Sequence, residues 1–316
     1  MFRVQISVAV NMKIGIVGAG AVGSACLLSL AIRGVAREIV LVNRNNKRAE
    51  GVVTDARYGS VLLPAVQLCA GDFNDLAGAA LVMITAGVNE KTGGATDRND
   101  PKGRLRLLKT NADIYRQIVP EIVKAAPEAV ILVVTDPPDA LADVIHQIAP
   151  AAPLLSTGTF LDSLRFRFHL ARRLKVNPAS VDAVVLGEHG TSQVFLWSSV
   201  RISGVPLASF QEVKGLQKLQ EEVEREVRYA NITIIEGTGA SVYGIAVVSA
   251  RIAEMVLRDE RTVIPIGSFN QEFGTTFSLP SIVGRRGAEK VLIPEMSQRE
   301  RELLEKSAMS IRNAAA

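Results

Sequence analysis

Cysteine is nearly absent from this 316-residue chain: Cys26 and Cys69 are its only two, forming no CxxC pair and no cysteine–histidine cluster. That argues against a disulfide framework and a zinc site, and no metal is expected. Cys26, among Ala and Leu, and Cys69, closing an apolar run, read as small core hydrophobes. Blocks of like charge are also missing. The formal net charge is +4, but basic residues alternate with acidic ones, as in RIAEMVLRDER (251–261) and QRERELLEK (298–306). Such alternation marks solvated, salt-bridged helix faces, whereas a nucleic-acid-binding surface concentrates its Lys and Arg. No nucleic-acid partner is expected. The first eleven residues, MFRVQISVAVN, are too few to cross a bilayer and lack the small-residue cleavage site of a secretory signal. Met12 is an alternative start, and a cytoplasmic protein without membrane contact is the expectation. No internal repeat or low-complexity linker interrupts the chain.

What is present is an ordinary globular balance, 48% hydrophobic and 22% charged, in a chain long enough for two domains. The first half alternates strands and helices. Strands are expected at MKIGIV (12–17), EIVLVN (38–43), VQLCAG (66–71), ALVMITAG (80–87) and AVILVVT (129–135), with a helix over about 105–125. Strands made almost wholly of Val, Ile and Leu are covered on both faces, so the expected class is α/β with a doubly wound parallel sheet. After about residue 156 the pattern changes to long charged helices and to antiparallel strands, suggested by the alternation in QVFLWSSVRISG (193–204). An N-terminal extension (1–11), a dinucleotide-binding domain (12–157) and a catalytic α+β domain (158–316) are therefore expected.

Gly18-Ala19-Gly20-Ala21-Val22-Gly23 stands directly after the first strand and opens a helix. In such a GxGxxG turn the first glycine permits the bend and the second lets the backbone approach a pyrophosphate. The third lets the helix pack closely, with its N-terminal N–H groups facing the phosphates. Twenty residues beyond Gly23, where a carboxylate would hold the adenosine ribose, stand Asn43 and Arg44, with Lys47 and Arg48 following. Removing the carboxylate and supplying an arginine suits a 2′-phosphate, so the cofactor is NAD or NADP with a lean to NADP. The alternative is that Asn43 still bonds the ribose of NAD while Arg44 is solvated.

The second half carries GTFLDSLRFR (158–167), with Asp162 and Arg165 on one helix face, and LGEHGTS (186–192), with His189 in a glycine-flanked turn. A histidine so placed faces a cleft. His146 and His169, on expected helices without partner motifs, read as surface or structural residues.

Through these motifs the chain resembles the lactate/malate dehydrogenase family, and its lactate branch in particular, from about residue 12 to 312. The 27-residue separation of Asp162 and His189, Thr85-Ala86-Gly87, GASVYGIA (239–246), SLPSIVGRRGAEKVLIPEMSQRE (278–300) and Ser307-Ala308 in the last helix all match. The resemblance implies an oxidoreductase that moves a hydride between a nicotinamide and a 2-hydroxy/2-oxo acid. His189 would transfer the proton, near neutrality where imidazole works in both directions. Asp162 would orient its ring, Arg165 would grip the substrate carboxylate, and Arg104 would polarise the carbonyl. Ser241 would line the substrate pocket, with Thr85, Ala86, Gly87 and Thr135 on the cofactor. A homodimer or homotetramer is implied.

Three departures from the family pattern stand out. The lid segment between Gly87 and Arg104 is several residues longer than usual, and it puts Glu90 at the specificity position unless Arg98 or Lys102 faces the substrate instead. Asp136-Pro137-Pro138-Asp139 replaces Asn-Pro-Val-Asp, so Asp136 stands where an amide would donate to the substrate oxygen. GEHGTSQ replaces GEHGDSE. Together they point to a substrate other than, or broader than, lactate. Arg167 matches an arginine used for fructose-bisphosphate control, but its partner position holds Asp182, and that control is not expected. A same-fold reductase of another carbonyl or imine, and a non-catalytic dinucleotide-binding protein, are the competing readings.

Overall fold

The computed structural model describes residues 12–88, 106–210 and 213–315. The first half runs β1 (Lys13–Val17), α1 (Ala21–Arg33), β2 (Glu38–Val42), α2 (Asn46–Ser60), β3 (Gln67–Gly71), β4 (Leu81–Ile84), α3 (Leu108–Ala125), β5 (Val130–Val133), α4 (Pro138–Ile148) and β6 (Leu154–Ser156). The second half runs α5 (Phe160–Leu174), five two-residue strands β7 (Val181–Asp182), β8 (Val185–Leu186), β9 (Val194–Phe195), β10 (Arg201–Ile202) and β11 (Val205–Pro206), then α6 (Leu207–Phe210), α7 (Val213–Thr238), α8 (Tyr243–Leu257), β12 (Thr262–Asn270), β13 (Thr275–Gly284), β14 (Gly287–Val291) and α9 (Gln298–Ala315).

Six parallel strands in the order β3-β2-β1-β4-β5-β6 form the doubly wound sheet expected from the sequence. Their side chains alternate strictly between two cores. Ile39 and Leu41 of β2, Leu81 and Met83 of β4, and Val130 and Leu132 of β5 pack on one face with α1 and α8. Val40, Val42, Val82, Ile84, Ile131 and Val133 pack on the other with α3, α4 and α9. Both faces being dry explains why the central strands β4 and β5 carry no polar residue.

The second half adds to this same sheet. β12 runs antiparallel to β6 through the pair Gly267↔Ser156, and β13 and β14 extend it to nine strands. A third core, with Phe166, Leu170, Val223 and Val227, joins α5 to α7. The alternating run 193–204 supplies two short antiparallel strands, β9 and β10, as its pattern suggests. A turn at Trp197–Ser199 breaks it, where the Glu300 carboxylate accepts from Ser198 N at 3.0 Å and Ser198 Oγ at 2.6 Å. No single helix among the described residues is long and apolar enough to cross a membrane.

The strand order reverses between β1 and β4, which opens a crevice at the carboxyl ends of the strands. The loops after β1, β2, β4, β5 and β6 all leave the sheet at that end.

Candidate active site

The glycine turn sits at this reversal. Gly18 N donates to Val42 O at 2.8 Å, and Thr85 Oγ1 donates to Gly18 O at 2.9 Å. Gly18 has φ +116°, and a Cβ there would lie 2.6 Å from Ala86 N; a Cβ on Gly23 would lie 1.9 Å from Gly18 O. Neither position accepts a side chain, so α1 starts tight against β1 and β4. A Cβ on Gly20, by contrast, would meet nothing within 4 Å. Gly20 is the N-cap of α1, the first turn has no acidic residue, and no side chain caps its N–H groups. Ala21 and Val22 form that first turn. Open space over uncapped amides at a switch point fits a dinucleotide pyrophosphate.

At the adenosine end, Asn43 Oδ1 accepts from Ala19 N at 3.0 Å and its Nδ2 donates to Asn45 O at 3.0 Å. Arg48 Nε donates to Ala19 O at 2.6 Å. The Asn43 amide thus braces two backbone turns at once, which a carboxylate could do only by half. This structural use was not visible in the sequence. Arg44 is exposed.

Thr135 Oγ1, at the end of β5, donates to Ala86 O at 2.9 Å and packs its methyl against Gly87. Asn111, fully buried on α3, accepts from Val88 N at 2.8 Å and donates to the Asp136 carbonyl at 2.9 Å. Asp136 is half-buried and joined to Pro137 by a cis peptide bond.

Asp162, in the first turn of α5, carries two partners on its two oxygens. His189 Nδ1 lies 2.5 Å from Oδ2, and Arg165 Nη1 lies 3.0 Å from Oδ1. Asp162 is 2% exposed, while the His189 and Arg165 side chains keep 16% and 13%. A buried carboxylate accepting from Nδ1–H fixes the ring's tautomer and orientation.

The turn bearing His189 is held on all sides. Gly187, at φ +84°, exchanges both backbone hydrogen bonds with Ser278 of β13 at 2.9 Å. Glu188 N donates to Ser307 Oγ of α9 at 2.8 Å, and His189 N donates to Asp139 Oδ2 of α4 at 2.7 Å. Ser192 Oγ donates to the Glu188 carboxylate and lies 3.0 Å from Ser307 Oγ. Ser278 also reaches the other half of the site, its Oγ accepting from Thr159 N at 2.9 Å at the N-cap of α5. One β13 serine therefore ties the Asp162 helix to the His189 turn.

Of the residues singled out in the sequence, His189, Asp162 and Arg165 come together directly. The glycine turn meets Thr85 and Ala86, and Thr135 meets Ala86 and Gly87. Ser241 lies in the four-residue break (239–242) between α7 and α8, just ahead of Gly244, where a Cβ would lie 3.6 Å from Leu161 beside Asp162. Arg104, Glu90, Arg98 and Lys102 lie outside the described residues. Asp139, Ser278 and Ser307 lie in stretches that carry the family resemblance but have no role assigned there, and Ser156 lies in none; the one signal for a role is a polar residue at a buried element position. His146 stacks on Phe269 with ring centroids 3.8 Å apart, and His169 pairs with Glu226 at 2.6 Å. Arg167 is taken up by Ala183 O at 3.0 Å and Asp182 at 3.6 Å.

Residues 12–154 match the family model of the lactate/malate dehydrogenase NAD-binding domain, and residues 159–316 match that of the α/β C-terminal domain. An L-lactate dehydrogenase of Deinococcus radiodurans is 40% identical over 304 residues, which covers 95% of this chain and 97% of that protein. One from Thermus aquaticus is 39% identical, with 96% and 98% covered. The crystal structure of the minor L-lactate dehydrogenase from Enterococcus mundtii superposes with a TM-score of 0.89 at 30% identity, covering 97% of this chain and 98% of that one.

Proposed function

Because the chain belongs to the lactate/malate dehydrogenase family and is a nicotinamide-linked 2-hydroxy acid oxidoreductase, we propose that His189 is its proton-transfer group and Asp162 the carboxylate that orients it. The observation carrying this reading is the 2.5 Å contact between His189 Nδ1 and a carboxylate that is itself buried. Asp162 accepts from Nδ1 and stabilises the imidazolium, so Nε2 gives its proton to the carbonyl oxygen in reduction and takes it back in oxidation. Arg165, steadied by Asp162, holds the substrate carboxylate in a planar two-pronged contact. The nicotinamide, when bound, supplies or accepts the hydride. Arg104 is assigned to the carbonyl oxygen and Ser241 to the pocket wall, both from the family pattern. The test is His189→Asn in a holoenzyme that keeps its cofactor affinity: turnover should fall by about two to four orders of magnitude in both directions. An unaffected rate would remove the assignment.

The substrate is a small 2-oxo acid. The names of the relatives make pyruvate the first to try, whereas Asp136 and Glu90 favour a broader or more polar choice. Side-by-side rates with pyruvate and larger 2-oxo acids separate the two. For the cofactor, the NAD-binding domain sets the class, and Asn43 with exposed Arg44 carries the lean to NADPH. Equal or better rates with NADH would end that lean.

We place the protein in the cytoplasm, as suits two free cysteines, and read it as a homo-oligomer. Supporting the second point, Leu28 of α1, Val52 and Ala56 of α2 and Tyr243 of α8 line one open cleft, with Leu28 and Tyr243 47% and 78% exposed. Sedimentation of Tyr243→Asp against the parent chain tests it.

A further inference from the structure

We propose that Asp139 is a positioning residue for this reaction, holding the His189 turn by its main-chain N–H and favouring the protonated imidazole with a buried negative charge. The inference rests on the proton-transfer reading of His189. Asp139 stands in the first turn of α4 and is 2% exposed. An acid at that position of a helix ordinarily caps its own N–H groups. Here no side chain caps α4, and both oxygens point to other elements. Oδ2 accepts from His189 N at 2.7 Å, and Oδ1 accepts from Ser156 Oγ at the end of β6. Gly267 of β12 walls the pair in, since a Cβ there would lie 2.7 Å from Oδ1.

The geometry alone does not require an acid. An asparagine could accept from His189 N and donate to Ser156 Oγ, without the cost of burying a charge. What the carboxylate adds is the charge itself. Burial pushes the Asp139 carboxyl up to about 7; the hydrogen bonds from His189 N–H and Ser156 and the positive charge on His189 oppose this, while Glu188 reinforces it. Attraction between Asp139 and the imidazolium is mutual, so an ionised Asp139 raises the proton affinity of His189. The other charged groups around the pair are Asp136 ahead of α4, Asp143 one turn along it, and Asp162 and Arg165 across from the ring on α5. Asp143 is held by Thr275 at 2.5 Å and by Thr276 N at 2.6 Å. The nearby contacts from β6, β12 and α9 are Ser156, Gly267 and Ser307, which carry no charge.

The consequence is directional. Reduction needs protonated His189 and fails on its alkaline limb; oxidation needs neutral His189 and fails on its acid limb. Removing the Asp139 charge moves both limbs to lower pH together. Rates as a function of pH, in both directions at saturating cofactor, are measured for the parent chain, Asp139→Asn, Ser156→Ala and His189→Asn. Asp139→Asn should shift both limbs down by about 0.5 pH unit or more. Ser156→Ala, which removes one donor to the carboxylate, should give a smaller shift in the same direction. A merely structural role would lower rates without moving either limb. Limbs of Asp139→Asn that superimpose on the parent's overturn the proposal, and if that variant does not fold, unmoved limbs in Ser156→Ala overturn it instead. Full activity in His189→Asn removes the underlying reading of the site; its loss together with unshifted limbs removes only the role of Asp139.

Discussion

The two ends of the crevice are built differently. At the proton-transfer end, β13, α4, α5 and α9 each contribute a hydrogen bond to the two short segments bearing Asp162 and His189. At the adenosine end, a partly exposed turn holds its shape through Asn43 and Arg48 bonding to backbone groups, with Arg44 exposed beside it. A group fixed from four elements keeps its geometry when one neighbour changes. A turn held by two side chains can change ligand preference at little cost to the core. Under the proposed assignment, the chemistry is anchored in the framework, while cofactor choice rests on a few surface residues.

The sharpest way to break this contrast is to attack the carboxylate at its centre. Asp162→Asn keeps the shape but loses the charge that stabilises the imidazolium, and turnover should drop by about two to four orders of magnitude. Substrate affinity should weaken as well, because Arg165 loses the negative charge of its partner. A variant with near-normal turnover in steady-state assays would show the clamp to be structural only.

Next in size is the turn itself. Gly187 has φ +84°, and a Cβ there would come 2.5 Å from Ser307 Oγ, which is already engaged by Glu188 N and Ser192. Gly187→Ala should cost about 2 kcal/mol in denaturant unfolding, from backbone strain and the lost Ser307 contacts. Unchanged stability would mean the turn is not held as firmly as its bonds suggest. At the other end, Asn43→Asp should move the kcat/KM ratio toward NADH by about tenfold, by repelling a 2′-phosphate and offering the ribose a carboxylate. The same change should cost about 1 kcal/mol, since Asn45 O loses its donor. A ratio that does not move would show that this turn has no say in cofactor choice.

Much of the fold and half of the site were legible in the sequence, for reasons these regions make plain. Strands buried on both faces are written as unbroken Val, Ile and Leu, and the glycine turn and the Asp162, Arg165 and His189 motifs sit at fixed spacings. What could not be read were contacts between segments distant in the chain. Ser278 lies 119 residues from Thr159, Ser307 the same distance from Glu188, and Asp139 50 residues from His189. A serine or aspartate at a buried position is ambiguous until its partner is in place. Asn43 shows the reverse case: its type suggested a ligand, and its amide proves to brace two turns. The break between β9 and β10 was hidden for a similar reason, because Glu300, a hundred residues on, captures Ser198.

The smallest effect expected is on stability, and it distinguishes an acid kept for its charge from one kept for its fit. The Asp139 carboxyl is raised by burial to about 7 in the folded protein, against 3.8 for the ordinary side chain. The folded state therefore holds this proton more tightly than the unfolded chain. By linkage, the stability that Asp139 contributes is fully present below about pH 4 and declines as pH rises through about 7. Asp139→Asn has no proton to lose, so it should match the parent chain at pH 4 and melt a few degrees higher at pH 8. A lower melting temperature at pH 8 would mean the ionised carboxylate is well satisfied where it lies. The folded protein would then bear little cost for its charge at the proton-transfer end.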